Sequence, residues 1–128
     1  MTRLVKSPPT PQPHKSDRDE GGSGLNHLVI TGELLELSPV RTTPAGVPVL
    51  EFRLFHDGEV VEAGSPRKVQ CDIPVVAMAE LVSMYKFLRL GSVLEVEGFI
   101  APARKGSPRL RLHAAHIRIV ETDPTLNS

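Results

Sequence analysis

The chain has 128 residues, which suits one domain with its own hydrophobic core. Its 15 basic residues balance its 15 acidic residues, so net charge alone points to no polyanionic partner. A single cysteine excludes an internal disulfide framework, and no apolar run approaches the roughly 20 residues that cross a bilayer. No secretory signal pattern is visible, so we expect a cytoplasmic protein.

The first part of the chain differs in composition from the rest. Residues 1–24 hold closely spaced prolines, a mixed-charge run and a glycine-rich stretch, with few apolar residues. Such a segment buries too little apolar surface to offset the cost of ordering, so we expect a disordered tail. It could bind a partner, reflect the choice of translation start, or be an inert leader. The folded domain then covers residues 25–121, and residues 122–128 form a flexible end.

Three segments with β character follow in chain order. Residues 27–37 are rich in apolar and β-branched side chains, residues 49–56 alternate between apolar and polar, and residues 67–76 form a third strand. The alternation places Leu50, Phe52 and Leu54 on one face of the second strand, where they would enter a core.

The pattern then changes to a helix and returns to strands. Residues 77–90 carry helix-forming side chains with apolar positions at helical spacing, and Gly91 is well placed to end the helix. Residues 92–100 and 108–120 alternate again. The last of these strands changes phase near Ala115, which predicts a β-bulge.

Five short strands with one helix between the third and fourth are typical of an all-β OB-fold, a partly open five-stranded barrel. Gly32 and Gly98 inside strands suit the tight bends of a small barrel. Another small barrel, or a sandwich with a helical insert, is the alternative. OB-folds bind oligonucleotides on the face of the second and third strands and on the adjoining loops.

Basic residues concentrate near the end of the domain. Residues 98–120 hold five of them and no acidic residue, and the last strand alternates its cations with Leu110 and Leu112, which would enter the core. Guanidinium groups match phosphate oxygens well, so this hairpin could bind nucleic acid; an ordinary solvated face is the competing interpretation. The candidate contacts from the residue pattern are Arg53, Arg67, Lys68, Arg104, Lys105, Arg109 and Arg111.

Base stacking has little support in the sequence. The chain has no tryptophan, and Phe55 and Phe99 are the candidate exposed rings, although packing in the barrel or at a subunit contact competes with that role. Binding would then depend on phosphate contacts and be sensitive to salt.

No catalytic or metal-binding pattern is present. The histidines lack ligand spacing, no phosphate-binding glycine loop or nucleophile elbow occurs, and Cys71 is expected to be a small core residue. We therefore expect no enzyme activity, no metal and no cofactor.

The segments NHLVITGELLE, TPAGVPVLEFRLFH, QCDIPVV, GSVLEVEGFIA and LRLHAAHIRIVE resemble the primosomal replication protein N (PriB) family, which is related to bacterial single-stranded DNA-binding protein. The resemblance spans about residues 25–121. It implies a homodimeric OB-fold that binds single-stranded DNA in the nucleoid and assists the PriA helicase at stalled replication forks. In some relatives a further partner, DnaT, joins.

By position, the resemblance makes Arg41 a basic residue of the first loop and assigns the basic hairpin to DNA binding. Gln70 stands where some relatives carry a stacking tryptophan, and Asp57 where some carry a basic residue. Both departures weaken the inferred DNA site. A second hypothesis is therefore an interaction adaptor of a helicase with weak DNA binding. A small-ligand-binding barrel is a third, although the sequence shows no set of polar pocket residues.

Overall fold

One coiled sheet and a single short helix make up the fold in a computed structural model, which describes residues 24–120. The expectations for residues 1–23 and 121–128 lie outside this range. The elements are β1 (Leu28–Leu37), β2 (Arg41–Thr42), β3 (Pro48–Glu62), β4 (Ser65–Met78), α1 (Glu80–Tyr85), β5 (Val93–Pro102) and β6 (Leu110–Ile119).

The five long strands close into a ring. β1 pairs antiparallel with both β3 and β5, β3 pairs with β4, and β5 pairs with β6. A short parallel contact between β4 and β6, with registered pairs at Val75–Leu112 and Val76–His113, completes the circuit. The two-residue β2 lies along the start of β3. This order, with the helix between the third and fourth long strands, confirms the OB-fold prediction.

The barrel interior is filled by the apolar positions of the alternating strands. Leu50, Phe52 and Leu54 are fully buried, as predicted, and β5 contributes Leu94 and Val96 opposite them. The remaining members of the core cluster are Leu34, Val75, Ala77, Val82, Leu112 and Ile117. The outward positions of the same strands carry the polar and charged side chains.

The central hairpin is longer than predicted. β3 and β4 remain paired as far as Glu62 and Ser65, whereas the sequence predicted strands over residues 49–56 and 67–76 only. The hairpin closes through Ala63 and Gly64, whose φ angles are 53° and 82°. Two positive φ angles in a two-residue turn match the right-handed twist of paired strands. Residues 57–62 therefore stay paired with residues 65–70 up to the turn.

The helix is shorter than predicted. Ala77 is fully buried and pairs with Leu50 as part of β4, so sheet pairing overrides its helix propensity. The helix covers Glu80–Tyr85, and the chain reaches Gly91 through turns. Among the residues that the structure describes, no helix has the length and apolar character needed to cross a bilayer.

The predicted bulge in the last strand is confirmed. Glu97 pairs with His116 while Gly98 pairs with Ala114, so Ala115 is the extra residue. The bulge brings the β6 backbone very close to Gly98, where an added Cβ would lie 1.8 Å from the carbonyl oxygen of His113. Only glycine fits this approach.

Two side chains expected to face the core are exposed instead. Leu110 is 53% exposed because it begins β6 at the rim of the barrel. Cys71 is exposed because it pairs with His56, where the β3–β4 hairpin extends beyond the barrel. Both predictions were wrong because alternation reports a face of the strand and not where the barrel ends.

Candidate nucleic-acid interface

The cations predicted to contact nucleic acid divide into two groups. Arg41, Arg53, Arg67 and Arg111 form ion pairs with carboxylates. The others have no carboxylate partner within residues 24–120: Lys68, Arg104, Lys105 and Arg109. A cation without a counter-charge on the protein gains most from a phosphate, so the second group marks the candidate interface.

The β5–β6 loop, residues 103–109, holds three of the unpaired cations. The amide of Ala103 donates to the carbonyl of Arg109 at 2.7 Å, and that of Ser107 donates to the carbonyl of Arg104 at 2.9 Å. The Ser107 hydroxyl also accepts from the Arg109 amide at 3.0 Å. These bonds fix a compact loop at one end of the barrel. Its exposed cations, Arg104, Lys105 and Arg109, project into solvent.

Glu51 on β3 holds two of the predicted arginines. Arg41 donates to its Oε2 atom at 2.5 Å, and Arg111 donates to the same atom at 2.9 Å. The hydrogen bond from Arg41 and the charges of both arginines lower the pKa of Glu51, against a smaller opposing effect of burial. The second terminal nitrogen of Arg111 donates to the Ala103 carbonyl at 2.9 Å. Arg111 thus braces the β5–β6 loop more than it faces solvent.

Arg53 and Arg67 are also engaged. Arg53 lies between Glu36 and Asp72, at 3.1 Å and 3.2 Å, and Arg67 pairs with Glu62 at 2.5 Å near the hairpin tip. Lys68 lies in the same outer part of the hairpin. Val75, where β4 contacts β6, lies roughly 25 Å farther along the strand, since each strand residue adds about 3.3 Å. The structure therefore does not bring all predicted cations together.

The outer face of β3 and β4 is acidic. Residues that pair across these strands share a face, and alternate positions face outward. The outward carboxylates are Glu51, Asp57, Glu59 and Asp72, against the cations Arg53 and Lys68. The two departures from the family pattern, Asp57 and Gln70, are direct cross-strand partners on this face. The face that OB-folds commonly offer to oligonucleotides is therefore poorly suited to phosphate here.

The two candidate rings differ in their surroundings. Phe99 is 45% exposed and stacks on His113, with ring centroids 5.1 Å apart and planes 7° apart. Burial, and secondarily the charge of Arg111, lowers the pKa of His113. Phe55 is half-buried, and its cross-strand neighbours are Glu33 and Asp72. Phe99, close to the unpaired cations, is the better placed ring for a base.

A third ring was missed by the sequence interpretation. Phe87, just after α1, is 83% exposed and has the Lys86 ammonium 5.3 Å from its ring centre. It lies off the stripe formed by Leu81, Tyr85 and Leu88, which pack against the core. That helical spacing was available in the sequence and would have placed Phe87 outside.

Metal binding has no visible basis in this part of the chain. Within residues 24–120, no group of three or more His, Cys, Asp or Glu side chains is arranged to hold a metal ion.

The chain is similar to a known protein family and to several known proteins. Residues 26–116 match a family described as another single-strand binding protein family. Replication restart protein PriB of Bordetella pertussis is 44% identical over 94 residues, which are 73% of this chain and 88% of that protein.

Solved structures agree. The PriB structure from Ralstonia solanacearum has a TM-score of 0.70 and 28% identity, covering 77% of this chain and all of that chain. The wild-type single-stranded DNA-binding protein from Thermus aquaticus has the same fold, with a TM-score of 0.64 at 23% identity over 78% of this chain and 52% of its own. Together with the closed OB barrel, these matches confirm the resemblance drawn from the sequence motifs, and the chain belongs to the PriB family of replication restart proteins.

Proposed function

We propose that this protein binds single-stranded DNA during replication restart and does so mainly through the β5–β6 loop. One observation carries the proposal: Arg104, Lys105 and Arg109 are exposed together, without carboxylate partners in the described part of the chain. The protein's role is binding rather than catalysis.

Residues next to the β5–β6 loop would supply the remaining contacts with DNA. Phe99 precedes the loop on β5 and offers one partly exposed ring to a nucleobase, with His113 stacked behind it. Arg111 supports the loop through Ala103. Few cations and one ring make a weak, salt-sensitive interface, since phosphate contacts release counterions.

We further infer the assembly in which this binding is used. Relatives are named replication restart proteins, which supports a role at stalled forks as an accessory of the PriA helicase. The family resemblance also supports a homodimer in the bacterial cytoplasm, associated with the nucleoid, and DnaT as an additional partner. The protein would hold the exposed strand and thereby stabilise the helicase on forked DNA.

The test is fluorescence anisotropy with a labelled oligo-dT strand, followed by PriA unwinding of forked DNA. Arg104→Glu combined with Lys105→Glu should weaken oligonucleotide binding at least tenfold at low salt and abolish stimulation of the helicase. Lys86→Glu combined with Arg89→Glu makes the same charge change beside α1 and should leave oligonucleotide binding unchanged. Equal losses of oligonucleotide binding in the two double variants, or no loss of binding in either, would contradict the proposal.

An interaction adaptor with weak DNA binding is the second candidate function. It is favoured by the acidic outer face of β3 and β4 and by the ion-paired arginines, which leave a small area for DNA. In that case the β5–β6 loop would contact an acidic patch of the helicase. Affinity for PriA without DNA should then far exceed affinity for bare oligonucleotide, whereas the first proposal expects the reverse.

A further inference from the structure

An apolar groove lies beside α1, at the opposite end of β5 from the β5–β6 loop. Its volume is about 260 Å³, and its walls include Met84, Phe87, Leu88 and Ile119. Met84 is 65% exposed and Ile119 is 50% exposed. Phe87 is also exposed, so three large exposed apolar side chains meet at one groove instead of being scattered singly.

The groove has a fixed floor. Tyr85 and Leu88 line the groove and also pack against the barrel core, and the Tyr85 hydroxyl donates to the carbonyl of Ile117 at 2.6 Å. These contacts fix the side chains of the helical segment that face the barrel. Met84, Phe87 and Ile119 are mostly exposed and do not belong to the core cluster.

One cation lines the groove and another lies beside it: Arg89 is part of the wall, and the Lys86 ammonium is 5.3 Å from the centre of the Phe87 ring. Lys86 and Arg89 form no ion pair with any carboxylate in residues 24–120, including Glu80 in the first turn of α1 and Glu33 near Gly91. Most arginines elsewhere in this part of the chain are paired. Unpaired cations around an apolar groove complement a ligand that carries both acidic and apolar groups.

We propose that this groove docks a segment of a partner protein that combines Asp or Glu with large apolar side chains. The apolar side chains would fill the space between Met84, Phe87 and Ile119, and the carboxylates would pair with Lys86 and Arg89. The aliphatic walls favour a peptide over a nucleic acid, because a base gains its stacking energy from aromatic faces and Phe87 is the only exposed ring there.

The groove is separate from the proposed DNA site. β5 runs from one to the other, and its ten residues span roughly 30 Å at about 3.3 Å per residue. One molecule would therefore bind DNA and the peptide together, and the proposal does not depend on the DNA-binding proposal.

The experiment is selection of a phage-displayed random peptide library on the full-length protein, followed by anisotropy of the selected peptides as labelled synthetic probes. We expect enrichment of peptides that carry Asp or Glu beside Leu, Ile or Phe. Lys86→Glu with Arg89→Glu should lower their affinity at least tenfold, and Phe87→Ser should do the same. Arg104→Glu with Lys105→Glu is the matched control and should leave peptide binding unchanged.

Phe87 is almost fully exposed, so Phe87→Ser should have the melting temperature of the unchanged protein. A loss of peptide binding in this variant then shows that the peptide contacts the groove, because the fold is intact. Four results would each overturn the proposal. They are no enrichment, enrichment of peptides without acidic residues, loss of oligo-dT binding in the Lys86→Glu/Arg89→Glu variant, and enrichment only on a Glu121→Gln/Asp123→Asn variant. The third would make the groove a nucleic-acid site, and the fourth would assign it to the chain's own residues 121–128.

Discussion

Neutralising Glu51 should strengthen binding to single-stranded DNA, because this carboxylate holds Arg41 and Arg111. With the three loop cations contacting phosphate, a slope of about −0.7 per contact gives a log affinity against log salt slope of about −2. Glu51→Gln frees Arg41, while Arg111 stays on the Ala103 carbonyl, so one added phosphate contact takes the slope to about −2.8. A tenfold rise in salt would then reduce affinity about 600-fold instead of about 100-fold.

The assay is anisotropy of labelled oligo-dT across a tenfold salt range, with tighter binding by Glu51→Gln at the low end. Glu95→Gln is the matched control, since it frees Arg118 on another part of the barrel and should keep the slope near −2. The stability cost of Glu51→Gln should be about 1 kcal/mol, because the pairs are partly exposed and screened. An unchanged slope in Glu51→Gln, or a slope near −6 in the unmodified protein, would refute the reasoning.

Three further outcomes are expected from the fold. Burial holds the folded-state pKa of His113 below its ordinary value of 6.5, so the free energy of unfolding should be full above pH 6.5 and fall as the pH drops through that value. Urea unfolding at pH 7.5 and 5.5 should show this loss, and His113→Phe should make the loss smaller. Gly98→Ala should lower the free energy of unfolding by about 3 kcal/mol in the same assay, because its Cβ would overlap the β6 backbone. Ala63→Asn should raise it by about 1 kcal/mol, since asparagine tolerates the positive φ of the hairpin turn.

Local pattern was enough to predict the barrel and its bulge. The alternation of Leu50, Phe52 and Leu54 is a property of neighbouring residues, and so is the phase change at Ala115. The length of the β3–β4 hairpin was not predictable in this way, because its outer part mixes exposed Val60 and Val61 with charged residues and shows no apolar face. Its pairing depends on the turn at Ala63–Gly64 and has no alternation to reveal it.

The candidate site shows the same limit. The cations of the β5–β6 loop are adjacent in sequence, so their clustering was visible before the fold. Glu51 is 10 residues from Arg41 and 60 from Arg111, and nothing in either local segment reports that one carboxylate holds both. Charge pattern therefore identified which residues are basic, and only the folded barrel separates those that are available from those already paired.

The parallel contact between β4 and β6 also has a consequence for how the protein is made. β6 is the last strand of the described chain, yet it joins β5 on one side and β4 on the other. Until residues 110–119 have been synthesised, both neighbouring edges lack a partner and the core stays open between them. Folding is therefore completed only after nearly the whole chain exists, and a product that stops short of β6 would offer two bare strand edges to other molecules.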